Sequence, residues 1–222
     1  MGIVVMVCGG SGSGKSTSLR NFEPDEVSVF NVAGKPLPFR KKLPTLNNAT
    51  YPQIEKLIMR KDGKKAYVID DSQYLMAFES FDKVNQRGYD KFTEIAVNFK
   101  NLVTTAICQT PKDTIIYFLH HSELADDGTL KAKTLGKMLD NQLVLEGLFT
   151  IVLYTKVDAE GYWFITNSDG TLSAKSPMDM FPKRIPNDLK MVDVTIREYY
   201  GLNEEEQDPE EQTEKSNAKE SA

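Results

Sequence analysis

Apolar residues in this chain gather into short unbroken runs rather than strict alternation. "IVVMVC" (3–8), "AYVID" (66–70) and "TIIYFL" (114–119) each run nearly without a polar residue and stop at glycine or polar positions. Runs of this length and composition predict strands buried on both faces, the signature of a parallel sheet covered by helices. "EVSVFNV" (26–32) and "FTIVLYTKV" (149–157) predict two more strands, and "GYWFITN" (161–167), following "DAEG", predicts a hairpin partner for the last of them. Between the strands the period changes. "QIEKLIMR" (53–60), "SQYLMAFESF" (72–81) and "YDKFTEIAVNFKNLVTTAICQ" (89–109) predict helices, the last being the longest and ending before Pro111. "LGKMLDNQLVLEGL" (135–148) predicts a short helix, and "DDGTL" (126–130) a turn. "NDLKMVDVTIREYYGL" (187–202) predicts a final helix, capped by Asn187 or Asp188 and closed by Gly201. "AGKPLPFRKKLPTLNNATYP" (33–52), with four prolines, predicts a long functional or mobile loop. The expected fold is therefore α/β: a mostly parallel sheet with helices on both faces, then a hairpin and a helix.

One stretch carries specific chemistry. "GGSGSGKST" runs from Gly9 through Gly10, Ser11, Gly12, Ser13, Gly14, Lys15 and Ser16 to Thr17, and matches G-x-x-x-x-G-K-[ST] in full. It lies where that motif must lie, after an apolar strand and before a helix expected from Lys15 to Asn21. Glycines let successive N–H groups wrap around phosphates, and the helix start adds its own unpaired N–H groups and dipole. Lys15 is expected to reach the β and γ phosphates, and Ser16 to hold Mg²⁺ with Thr17 behind it. Such a site needs an acid at the end of a nearby buried strand. "AYVIDD" supplies Asp70 for the ion or one of its waters, with Asp71 either polarising water or serving as a helix cap or loop contact.

The two histidines, His120 and His121, close the run "TIIYFL". Alternation along a strand lets one of them face the nucleotide while the other packs. A metal pair would need further ligands at suitable spacing. A polar residue sensing the γ phosphate fits better, with His120 preferred over His121.

Together "GGSGSGKST", "AYVIDDSQ", "YFLHHSEL", "KTLGKML", "LYTK" and the late "SAKSPMDMFPKRIPNDLKMVDVTIREYYG" resemble the phage nucleotide-binding proteins of RecA-like type, small recombination-associated ATPases, across about residues 2–202. That resemblance implies ATP and Mg²⁺ at the motif above and catalysis involving Lys15, Asp70, Asp71, His120 and His121. It implies action on single-stranded DNA beside an annealing or single-strand-binding protein, as a homo-oligomer. Lys133 or Lys137 would then reach a neighbour's phosphates. One departure stands out. Members of the wider class carry a glutamate base just after strand two, whereas "FNVAGKPLPFRKK" has no acid. Either Asp71 or Glu55 replaces it or hydrolysis is slow. Two other functions stay open: a P-loop kinase for a nucleotide or other small molecule, and a nucleotide-gated adaptor with little turnover. The six arginines do not cluster as a kinase lid would require.

Charge refines the domain picture. The formal net charge of −5 comes from the end of the chain: from Glu204 onward there are eight acidic residues against two lysines. Residues 203–222 are expected to form a disordered acidic tail behind a single domain of residues 1–202. Arg40, Lys41, Lys42, Arg60, Lys61, Lys64 and Lys65 are candidate DNA-backbone contacts, and Phe39, Tyr51 and Trp163 candidate stacking groups. Cys8 and Cys108 both sit in apolar segments, predicting buried free thiols. No membrane-length run and no charged signal-peptide region is present, so a cytoplasmic location is expected.

Overall fold

The computed structural model describes residues 1–135 and 144–202. In chain order the strands are β1 (Ile3–Gly9), β2 (Val27–Asn31), β3 (Thr45–Asn47), β4 (Ala66–Asp70), β5 (Ile115–Leu124), β6 (Leu130–Ala132), β7 (Ile151–Asp158), β8 (Gly161–Ile165) and β9 (Arg184–Pro186). The helices are α1 (Tyr51–Ile58), α2 (Gln73–Asp82), α3 (Asp90–Cys108) and α4 (Leu189–Tyr200). The sheet runs β3-β2-β4-β5-β1-β7-β8-β9, with β6 paired to β5. All pairings from β3 to β7 are parallel, and those of β8, β9 and β6 are antiparallel. The parallel core follows from the apolar runs, because strands buried on both faces need helices on both sides.

Two apolar clusters fill those faces. Val4, Met6 and Cys8 of β1 join Ile116 and Phe118 of β5 and pack against α1, α2 and α3. Phe118 is fully buried, edge-on to Phe99 of α3 at 6.1 Å and to Phe149 at 5.1 Å. Val5 and Val7, with Ile115, Tyr117 and Leu119, face the opposite way onto Leu19, Phe22 and the α4 residues Leu189, Val192 and Ile196. Each such side chain contributes roughly 1.5–3 kcal/mol by leaving water. Tyr117 also donates to Asp193 of α4 at 2.9 Å, and Arg197 holds the same carboxylate at 2.7 Å, fixing α4 across β5.

Several elements differ from expectation. The proline-rich stretch contains β3, because Thr45–Asn47 pair in parallel with Val29–Asn31 and extend the sheet edge. The expected turn at residues 126–128 is present, but it closes a hairpin, because β5 continues past the histidines to Leu124 and returns as β6. Arg184–Pro186 add β9 beyond the predicted hairpin. The first helix is a 3-10 segment, Ser16–Asn21, in which Ser18 N–H is shared between the Gly14 and Lys15 carbonyls. A six-residue segment rich in serine and threonine has little propensity to propagate as α-helix. The helix expected over 135–148 falls largely on residues outside the described ones; Leu145–Leu148 form a 3-10 turn. Asp188 caps α4 by accepting from Lys190 and Met191 N–H, and Gly201 closes it at φ 64°. Cys8 is buried and Cys108, the last residue of α3, is exposed, which corrects the expectation for the second thiol; both are free. No described helix is long and apolar enough to cross a membrane. The acidic tail lies outside the described residues.

Candidate phosphate-binding site

The motif residues leave the C-terminal end of β1 and curl over the sheet. Gly12 and Gly14 take φ of 74° and 94°, a region L side chains rarely adopt. Gly9 is required for another reason: a Cβ there would lie 1.7 Å from Thr155 Oγ1 of β7. Thr155 uses that closeness, donating to Ser13 Oγ at 2.7 Å and so pinning the loop to β7. Ser13 in turn donates to the Gly10 carbonyl at 2.7 Å. Lys15 is folded back with only 6% exposure, and its ammonium donates to the Gly9 and Gly10 carbonyls at 2.8 Å each. Burial lowers its pKa, and the nearby carboxylates of Asp71 and Asp70 oppose that.

Across from the loop stands the end of β4. Ser16 Oγ donates to Asp70 Oδ1 at 2.8 Å, joining residues 54 positions apart in sequence. Asp70 is buried, and burial raises its pKa against the pull of that hydroxyl. Asp71 follows in the left-handed region at φ 59°, strain that a short acidic side chain tolerates better than most. Burial would raise its pKa, but bonds from His121 (Nε2, 3.3 Å) and Lys35 (Nζ, 3.0 Å) prevail and hold it at about 2. Loop and strand end enclose a cleft of about 230 Å³ lined by Ser11, Lys15, Ser16, Lys35, Asp71 and His121, among others. That is smaller than the roughly 300–1,000 Å³ of whole-ligand pockets, and suits a phosphate chain rather than an entire nucleotide.

The histidines part as strand parity requires. His120 shares a face with Met6 and Phe118, and is fully buried against Phe99. Its Nε2 meets the Lys133 carbonyl at 2.7 Å and its Nδ1 meets Ser72 Oγ at 2.9 Å. A carbonyl only accepts, so Nε2 carries the proton and Nδ1 takes the Ser72 hydroxyl. Burial lowers this imidazole's pKa to about 4, keeping it neutral. His121 faces the glycine loop and lines the cleft. The geometry thus reverses the preference for His120: His121 has the exposure and the acidic partner.

Other expected site residues scatter. Arg60 pairs with Asp62, Lys65 with Asp113 and Lys41 with Glu23, and Lys64 donates to the Asp25 carbonyl. Residues 60–65 precede β4 and so lie at the opposite end of that strand from Asp70, away from the cleft. Phe39 and Tyr51 pack on the two cores, and Trp163 is covered by the Arg184 guanidinium at 3.6 Å. Glu55, on α1, does not line the cleft, and β2 ends in buried Asn31 where an acid was sought. Lys133 borders a small neighbouring cleft with His121, while Lys137 lies outside the described residues. Lys35 was missed as a site residue, because only the path of the loop after β2 brings it to Asp71.

No described group of three or more His, Cys, Asp and Glu residues is arranged to hold a metal alone. A hard cation bound mostly by phosphate oxygens and water needs no such cluster, and the adjacent Ser16 hydroxyl and Asp70 carboxylate suit that coordination. No protein-family model matches the chain, and no curated protein matches it significantly.

Proposed function

We propose that this protein binds ATP with Mg²⁺ and hydrolyses it slowly, as a P-loop ATPase of RecA-like type. The observation that carries this reading is the 2.8 Å contact between Ser16 of the glycine loop and Asp70 at the end of β4. It joins the two halves that a phosphate-plus-cation site requires. Ser16 and Asp70 would hold the Mg²⁺, which supplies charge neutralisation on the phosphate oxygens. Lys15, now bonded to its own loop carbonyls, exchanges those partners for β and γ phosphate oxygens. Ser11, Gly12 and Gly14 line the cleft, and their backbone N–H groups would supply further donors to the same oxygens. In hydrolysis a water oxygen bonds to the γ phosphorus while the bond to the β–γ bridging oxygen breaks, giving ADP, inorganic phosphate and a proton. His121, with Asp71 behind it, orients that water.

Slow turnover follows from the same geometry. Asp71 holds its proton too weakly to act as a strong base, and Asn31 at the end of β2 supplies none. This also keeps the nucleotide-gated adaptor as a second reading. The kinase reading is weaker, because no arginine lines the cleft. Single-stranded DNA, an annealing or single-strand-binding partner and a homo-oligomer belong to the proposal through the sequence resemblance alone.

The test is phosphate release from Mg-ATP with and without single-stranded DNA, in wild type and Lys15→Ala. Release that rises with DNA and vanishes in the variant supports the reading. Tight ATP binding without release favours the adaptor, and transfer to a small acceptor favours the kinase. Equal behaviour of wild type and variant would end the case.

A further inference from the structure

Lys35 belongs to no part of the phosphate motif, yet its ammonium stands in the cleft. It follows a rigid turn. Val32 N–H bonds the Asp70 carbonyl at 3.3 Å, and Gly34 takes φ 68° where a Cβ would crowd Asn48. Buried Asn31 then donates to the Lys35 carbonyl at 2.5 Å and to Asn47 Oδ1 at 2.9 Å. Pro36 and Pro38, both lining the cleft, restrict the chain beyond. The backbone of Lys35 is therefore fixed beside the end of β4 while its side chain, 63% exposed, is free to turn. Among the described residues its ionic partner is Asp71, at 3.0 Å, with the Tyr74 ring 5.2 Å away. The ammonium end of the pair is open to solvent while Asp71 is largely covered, and a multiply charged phosphate competes for the ammonium through charge-assisted bonds of its own.

We infer that Lys35 is a terminal-phosphate sensor: it leaves Asp71 for the γ phosphate when a triphosphate is bound, and returns when only a diphosphate remains. The inference rests on the nucleotide reading given above and adds a residue and a discrimination to it. Lys15 and Lys35 line the same cleft from different elements, the glycine loop and the loop after β2. When Lys35 turns away, His121 is the side-chain partner left to the Asp71 carboxylate among the described residues, so occupancy of the γ position changes the pair that orients water.

The experiment measures Mg-ATP and Mg-ADP affinity with fluorescently labelled nucleotides in wild type, Lys35→Ala, Lys35→Arg, Asp71→Asn and Lys15→Ala. Lys35→Ala should weaken ATP binding about tenfold to a hundredfold, the loss of one charge-assisted bond to phosphate, and leave ADP binding unchanged. Lys35→Arg should restore most of the ATP preference. Asp71→Asn breaks the same ion pair but keeps the lysine, so it should retain that preference; a merely structural role for the pair predicts equal losses in both. Unchanged ATP affinity in Lys35→Ala, or matched losses for ATP and ADP, overturns the sensor while leaving the nucleotide reading intact. Failure of wild type to bind either nucleotide better than Lys15→Ala removes both.

Discussion

Replacing His120 with glutamine tests whether that imidazole is a neutral structural group. In the native protein it is fully buried, donates from Nε2 to the Lys133 carbonyl and accepts the Ser72 hydroxyl. Protonation would strip Nδ1 of its acceptor role and place a charge among Phe99 and its neighbours. Its folded pKa is about 4, against 6.5 for a free imidazole. Because the folded value is depressed, the unfolded chain takes up the proton first as pH falls. The contribution of His120 is fully present above pH 6.5, declines between 6.5 and about 4, and levels off below. At about 1.4 kcal/mol per pKa unit, moving from pH 7 to pH 4.5 should cost wild type about 2–3 kcal/mol through this group alone. His120→Gln lacks the titration. Urea unfolding of both proteins at half-unit pH steps exposes it as the difference between the two curves, since the carboxylates are common to both. The variant should be less stable at pH 7 and lose that deficit as the pH drops. Parallel curves for the two proteins would refute the argument that burial keeps His120 neutral.

Other consequences are as direct. Gly9→Ala forces a methyl onto Thr155 Oγ1 and should lower stability by about 1–3 kcal/mol, readable as a fall in melting temperature, whereas Gly12→Ala meets open space and should cost only the roughly 1–2 kcal/mol of its left-handed backbone. Asp70→Asn removes a buried charge while keeping an acceptor for Ser16. The nucleotide-free melting temperature should hold or rise, while Mg-dependent ATP affinity drops at least about tenfold, measured by titration calorimetry. Arg197→Ala leaves Asp193 buried beneath Tyr117 without its cation and should destabilise by about 3–5 kcal/mol in urea, and Asp193→Asn in the same background should recover part of it.

The strands of the parallel core and the long helix α3 could be read from the chain, because burial on both faces writes a continuous apolar run and burial on one face writes the 3.6-residue period. The glycine motif was equally legible, since the left-handed backbone at Gly12 and Gly14 restricts the residues allowed. Asp70 could be named because a strand end is a place in the sequence as well as in space. Strand parity said that His120 and His121 must separate, but not which one turns inward. That depended on the register Cys8↔His120 and Gly9↔His121 against β1, and on Phe99 and Ser72 arriving from elements distant in sequence. Lys35 was hidden for the same reason. Its sequence neighbourhood is an ordinary proline-rich loop, and its closeness to Asp71 exists because β2 lies beside β4 in the sheet. Local patterns record which residues must leave water and which backbone shapes need glycine. Which charges meet is set by strand order, a property of distant pairings that no local stretch encodes.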